Sequence, residues 1–303
     1  MSILAVGSVA FDTLETPFGH AEGELGGALS YFALAASHFD AVRMVAVVGQ
    51  DFGPEQEAVF RDRPIDLAGL ERVPGKTFTW GGRYGYDLNE RTTLFTHLNV
   101  FEDFHPKLPP AYRASEYLFL GNIDPSLQRE VLEQVEGVRL VAADTMNYWM
   151  THTHESLLET LKHVDALLIN DSEARQLAGV PNLMQAAELI HGLGPKILVI
   201  KKGEHGALLF DGEEHFAAPA FLLGMVRDPT GAGDAFAGGF LGHLAAVDRI
   251  DSAALRQAVV FGSVLASFTV EDFGVRRLRS LTRQEIDARF RAFERQTRFE
   301  PLP

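Results

Sequence analysis

Val226-Arg-Asp-Pro-Thr-Gly-Ala-Gly-Asp-Ala-Phe-Ala-Gly-Gly-Phe240 is the stretch on which the reading of this chain turns, a glycine-rich turn that runs straight into an apolar helix of small residues. Gly231, Ala232 and Gly233 leave their backbone N–H groups unencumbered at the helix start, where unpaired amides and the positive end of the helix dipole favour an anion. Asp234 follows in the first turn, beside that anion. A carboxylate next to a pocket for a phosphoryl group can act as general base for attack by a hydroxyl, while the amides stabilise charge on the group in transfer. The same residues also fit a plain helix cap after a glycine turn. Two other phosphate-binding patterns fail: the Walker A order Gly-x4-Gly-Lys-Ser/Thr is absent, and a dinucleotide fingerprint would need glycine where Phe236 stands.

Outward from this turn, short β-branched runs alternate with stretches of helical apolar spacing, which predicts a parallel sheet covered by helices and so an α/β fold. Strands are expected at Ile3 to Val9, Val42 to Val48, Glu116 to Leu120, Val138 to Ala143, Ala166 to Asn170 and Ile197 to Lys201. Helices are expected at Leu29 to His38, Ser126 to Glu136, Ser172 to Ala178, Asn182 to His191, Asp234 to Ala246, Ser252 to Thr269 and Arg283 to Arg295. Thr282 with Glu285 three residues on has the capping-box form, and Gly179 stands where a helix-ending glycine would. One region breaks the alternation. Lys76 to Phe101 is rich in Thr and aromatics with a polar turn near Asp87 to Glu90, and reads as a β-hairpin. With Leu14 to Leu25 it would form a small second sheet standing off the main body; the alternative is an edge hairpin of the main sheet.

Composition narrows the function. The 303 residues are 46% hydrophobic, enough to build a large core, and 27 Lys plus Arg against 41 Asp plus Glu give a net charge of −14. Such a surface repels a phosphate backbone, so nucleic acid is not expected as a partner. The absence of cysteine excludes disulfides and thiolate chemistry. The opening MSILAVGSVAFD lacks a basic region and meets Asp12 too early for a signal peptide or a membrane span, so a cytoplasmic protein without a membrane partner is expected.

Asp228-Pro-Thr-Gly-Ala-Gly-Asp234 closely resembles the second signature of the ribokinase/PfkB carbohydrate kinase family, D-T-x-G-A-G-D, and four further motifs agree with that family in order. Gly7-Ser8-x3-Asp12 resembles its opening strand with a substrate-binding aspartate, and Gly26-Gly27 before a helix resembles the glycine pair on which the sugar lies. Asn170-x-x-Glu173 resembles the motif that organises magnesium and its waters, and Lys202-Gly203-x-x-Gly206 resembles the nucleotide loop. The Lys76 to Phe101 hairpin falls where the family keeps its lid.

The resemblance implies a ribokinase-like three-layer sandwich with a mainly parallel central sheet flanked by helices and a small β-sheet lid. It implies a single domain over residues 1–303, with lid segments at about 12–25 and 75–101. The implied activity moves the γ-phosphoryl of ATP to a hydroxymethyl oxygen, with Asp234 as base and Gly231, Ala232 and Gly233 as the anion hole. Asp12, Gly26, Gly27, Tyr31 and Asn122 are the implied acceptor-binding residues; Asn170, Glu173, Lys202, Gly203, Gly206, Asp228 and Thr230 are those for the nucleotide. Mg2+ would be held by Asn170 and Glu173 through water, and a monovalent cation is left open. Lys201, Lys202 and Arg227 are candidates to offset the acidic field locally, with Arg83 and Arg91 added on lid closure.

Three positions depart from the family pattern. Pro229 removes a backbone donor, Tyr31 stands where many relatives carry Asn, and no Arg follows Asp144-x-x-Asn147. A sugar is the first expectation for the acceptor. A nucleoside is the close alternative, because Tyr31, Trp80, Tyr84 and Tyr86 supply rings on which a base could stack. The same aromatics leave open a homodimer through the lid. A ligand-binding or regulatory protein on the same fold is the alternative from another class, and the intact Asp234, Gly231 and Gly233 weigh against it.

Overall fold

The computed structural model describes residues 2–212 and 214–300. The first half of the chain contains β1 (Ser2–Val6), β2 (Ala10–Thr16), β3 (Gly19–Gly26), α1 (Ala28–Ala36), β4 (Ala41–Val48), α2 (Pro54–Arg61), β5 (Ile65–Arg72), β6 (Phe78–Tyr84), β7 (Arg91–His97), β8 (Tyr117–Leu120), α3 (Pro125–Leu132) and β9 (Leu140–Ala143). The second half contains α4 (Asn147–His152), α5 (His154–Leu161), β10 (Ala166–Asn170), α6 (Asp171–Ala178), α7 (Leu183–His191), β11 (Ile197–Lys201), β12 (Ala207–Asp211), β13 (Glu214–Ala218), α8 (Ala232–Val247), α9 (Ser252–Thr269), α10 (Arg276–Ser280) and α11 (Arg283–Thr297).

Strand β1 shows why the large sheet is covered on both faces. Its residues are apolar at consecutive positions, and the period of two sends Ile3 and Ala5 to one face and Leu4 and Val6 to the other. The first face packs on α1, α8 and α9, with Phe32 stacked on Phe119 at 3.9 Å between ring centres. The second face packs on α3, α5, α6 and α7. Nine strands run in the order β13-β12-β11-β10-β9-β8-β1-β4-β5, parallel except where β12 and β13 fold back antiparallel. The expected three-layer α/β architecture is therefore present.

The hairpin does not extend this sheet. Strands β6 and β7 join β2 and β3 in a separate four-stranded sheet of order β3-β2-β6-β7, and its inner face packs Leu14, Ala21 and Trp80 against Phe273. One strand boundary needs correction. The run expected from Ile3 to Val9 ends at Val6, because the chain leaves the large sheet at Gly7 and starts again at Ala10 in the small one. Asp12 consequently lies inside β2, opposite Trp80 of β6, and not at the end of the first strand. The capping box at Thr282 and the left-handed Gly179 stand as read, while α2, α4, α5, α10, β5, β12 and β13 were not expected. Among the described residues no helix is long and apolar enough to cross a membrane.

Candidate active site

In an open α/β sheet, ligand sites form at the carboxyl ends of the parallel strands. Here the start of α8 comes against that edge: a Cβ on Gly233 would stand 3.1 Å from Nζ of Lys201, the last residue of β11. Gly231 caps α8 with φ of 73°, and the ring of Tyr31 lies flat against its Cα, where any side chain would collide. The glycine turn has fewer open amides than expected in one respect. Ala232 spends its N–H on the Pro229 carbonyl (3.2 Å), which leaves the N–H groups of Gly231, Gly233 and Asp234 without a partner among the described residues.

Asp228 holds the turn from beneath. It is fully buried, and its carboxylate accepts from the N–H of Thr230 (2.9 Å) and of Gly274 (3.3 Å). Burial raises its pKa against the pull of these bonds. The donor lost at Pro229 is thus not needed for this carboxylate.

Asp234 is half-buried in the first turn of α8. Its carboxyl is pushed up to about 7 by burial and by the negative charge of Asp144 and Glu173, against the opposing pull of Lys201 and Arg91. Asp12 is buried more deeply, 3% exposed, and is pushed up to about 8 by burial, with Asp228 and Asp234 adding to the rise. The N–H of Gly27 and the charge of Arg91 work the other way. The close approach expected of a sugar at Gly26 and Gly27 belongs in the structure to protein groups. A Cβ at Gly26 would strike the Asp12 carboxylate, and one at Gly27, whose φ is 84°, would lie 2.6 Å from the Ser8 carbonyl.

The Asn170-x-x-Glu173 pair forms the N-terminal cap of α6. The Asn170 side chain accepts from the N–H of Glu173 (2.8 Å), and Glu173 Oε2 accepts from the N–H of Asn170 (2.7 Å). Glu173 Oε1 is left over, and burial together with the charge of Asp144 pushes this carboxyl up to about 7. In the loop after β11, Lys202 donates its N–H to the Gly206 carbonyl (2.7 Å), and Gly203 (φ 54°) and Gly206 (φ 88°) make the turn.

The other expected residues are more committed. Tyr31 is fully buried with no hydrogen-bond partner for its hydroxyl among the described residues, and Asn122 accepts from the indole N–H of Trp149 (2.8 Å). Thr230 donates to the hydroxyl of Tyr84 (3.1 Å), so the end of β6 touches the anion turn. Arg83 is an exposed partner of Glu15 (2.5 Å), whereas Arg91 lies over the Trp80 ring at 5.1 Å and reaches the field of Asp12, Glu173 and Asp234. Sequence reasoning did not join Asp144 to Lys201: their side chains pair at 3.1 Å. The two stand at the ends of strands separated by β10, a juxtaposition that only the sheet order supplies.

Comparison with known proteins agrees with this geometry. The model of the pfkB family carbohydrate kinases matches residues 18–281. A cytidine kinase of Thermococcus kodakarensis is 30% identical over 246 residues, 80% of this chain and 87% of that protein. The solved aminoimidazole riboside kinase of Salmonella enterica, complexed with aminoimidazole riboside and an ATP analogue, has a TM-score of 0.78 at 22% identity, covering 96% of this chain and 100% of that one. The Burkholderia thailandensis nucleoside kinase in complex with inosine has a TM-score of 0.76 at 23% identity, covering 96% and 98%. With the glycine turn, the two-sided sheet and the small second sheet all in place, the chain belongs to the pfkB family of carbohydrate kinases, phosphotransferases that act on a hydroxyl group.

Proposed function

We propose that this kinase transfers the γ-phosphoryl of ATP to the hydroxymethyl group of a nucleoside. The observation that carries the transfer is the pairing, in one site, of a buried carboxylate, Asp12, with a second carboxylate whose charge it feels, Asp234, at a helix start where the N–H groups of Gly231 and Gly233 are unspent among the described residues. Asp12 can accept hydrogen bonds from two neighbouring hydroxyls of a ribose. Asp234 takes the proton of the attacking hydroxymethyl group, and a base held near 7 is matched to a neutral operating pH. The free N–H groups of Gly231 and Gly233 receive charge that develops on the phosphoryl oxygens.

The donor set suits a hard divalent cation. Asp144, Glu173 and Asp234 set three carboxylates against the ammonium of Lys201, and the raised carboxyls of Glu173 and Asp234 mark an unmet need for positive charge. Magnesium gives up its waters reluctantly, so these carboxylates would meet it through water. Magnesium, when bound with the nucleotide, neutralises phosphate charge; Asn170 and Glu173 Oε1 would orient its water, and Lys202, Gly203 and Gly206 would line the nucleotide. The small sheet is the lid, with segments over residues 12–25 and 75–101 of a single domain. The Tyr84–Thr230 bond and the approach of Asn89 to Gly203 are the contacts by which it closes, and closure excludes water as a competing acceptor. ATP as donor and a small polar acceptor support a cytoplasmic location.

A nucleoside is preferred to a free sugar on the likeness to the cytidine kinase, which extends over most of both chains. A free sugar is the second reading, favoured because the aromatic side chains already have protein partners: Tyr31 on Gly231, Trp80 beneath Arg91, Tyr84 on Thr230. ATP consumption with cytidine, adenosine, inosine, ribose and fructose decides between them. Turnover of ribose or fructose with none of any nucleoside would overturn the preference.

A further inference from the structure

The ammonium of Lys201 is buried at the carboxyl edge of the large sheet, against the start of α8. Its side chain leaves the end of β11 beside Asn170, its register partner on β10, and crosses to Asp144 beyond the end of β9. Nζ ends 3.1 Å from Asp144 Oδ2 and directly against Gly233 of the anion turn. The pair is the most withdrawn from water among the described ion pairs, with side-chain exposures of 15% and 9%. Burying such a pair is costly and is weak support for stability. An ammonium has three donors, and Asp144 takes the one hydrogen bond that this side chain makes among the described residues. Two donors remain unspent beside unpartnered backbone amides, and their natural acceptors are anionic oxygens.

Resting on the kinase reading, we propose that Lys201 is a catalytic residue whose ammonium contacts the γ-phosphoryl group in transfer, and that Asp144 is the positioning residue that holds it there. Burial lowers the affinity of Lys201 for its proton, but Asp144, Glu173 and Asp234 outweigh that effect and keep it charged. In the step itself a bond forms between the acceptor oxygen and the γ-phosphorus while the bond from that phosphorus to the bridging oxygen of ADP breaks. The hydroxyl proton goes to Asp234, and Lys201 neither gains nor loses one. Its charge matters most as the transferred group loosens from both oxygens.

The test compares Lys201→Met, which keeps the volume and removes the charge, with Lys201→Arg, which keeps the charge. Calorimetry with ADP and with the β,γ-methylene analogue of ATP separates contact with the third phosphate from general nucleotide binding. Lys201→Met should leave ADP affinity within about twofold, weaken the analogue about tenfold, and lower kcat by about 10²–10³, the usual loss for one charge-stabilising donor. The acceptor KM should stay within about threefold, and Lys201→Arg should recover at least about tenfold of the kcat loss. Lys201→Gln serves if the methionine variant does not fold. Asp144→Asn should lower kcat in the same direction with ADP binding unchanged. Equal weakening of ADP and analogue, or a kcat within about threefold of wild type, would overturn the role given to Lys201. Wild-type protein inactive on every sugar and nucleoside tried would instead overturn the kinase reading on which it rests.

Discussion

Replacing Asp12 by Asn should stabilise the ligand-free protein while abolishing acceptor binding, and the stabilisation should grow with pH. The carboxyl is raised from 3.8 to about 8 by burial in the folded state. A group whose folded pKa lies above its unfolded one contributes stability that is complete below the unfolded value and is lost as pH rises through the folded value. At about 1.4 kcal/mol per pH unit, the cost of keeping this group rises from about 2 kcal/mol near pH 5 to about 6 kcal/mol above pH 8. Asparagine has the same shape, still accepts from the Gly27 N–H, and carries no such cost. The gap in stability between variant and wild type should therefore widen by about 4 kcal/mol over this range, or about 8 °C in Tm at ~2 °C per kcal/mol for a chain of this size. Thermal denaturation of both proteins across the range, with and without acceptor, measures it. A gap that stays flat with pH, or an acceptor that raises the Tm of Asp12→Asn as much as that of wild type, would refute the placement of a buried acceptor-binding carboxylate.

Glu173→Gln should raise the magnesium concentration needed for half-maximal activity more than it changes the acceptor KM; an unchanged magnesium titration with weakened acceptor binding would count against its role with metal-bound water. Because Asp234 works as a base only when ionised and is held near 7, kcat/KM should rise with pH through about 7 and then level, whereas a flat profile between about pH 5.5 and 8.5 would assign the proton elsewhere. Tyr84→Phe removes a bond worth about 1 kcal/mol between the small sheet and the anion turn, so hydrogen exchange in residues 78–97 should quicken by about fivefold; no change would mean that the sheet is held by other contacts.

The parts of the fold legible in the sequence were those in which one interaction dominates. The two-sided burial of β1, β4, β8, β10 and β11 writes a continuous apolar run that needs no tertiary context. Strand β5 was missed because its outer positions are charged, as in Asp66, Glu71 and Arg72, and β12 and β13 because neither Ala207–Asp211 nor Glu214–Ala218 contains a β-branched residue. A signal for the last two was present in Asp211-Gly212, a tight-turn pair between them whose glycine has φ of 61°.

The site divides in the same way. Gly231, Asp234 and the Asn170–Glu173 cap are local in sequence, and their geometry follows from helix-start chemistry alone. Asp12 was found as a residue but read together with the opening strand, since nothing in Gly7-Ser8-Val9 announces that the chain crosses from one sheet to the other. The Lys201–Asp144 pair and the entry of Arg91 depend on strand order and on how the small sheet sits over the large one. No spacing along the chain encodes either.

The claim that Asp234 takes the proton of an acceptor hydroxymethyl group is tested most directly by product analysis with wild type and Asp234→Asn. Each is incubated with ATP, magnesium and cytidine, and the products are followed by phosphorus NMR. Wild type should convert ATP to ADP with a new phosphate monoester on the hydroxymethyl carbon, and the variant should bind ATP normally but form that product about 10²–10⁴ times more slowly. Product formation by Asp234→Asn within about threefold of wild type, with the same ester formed, would contradict the account.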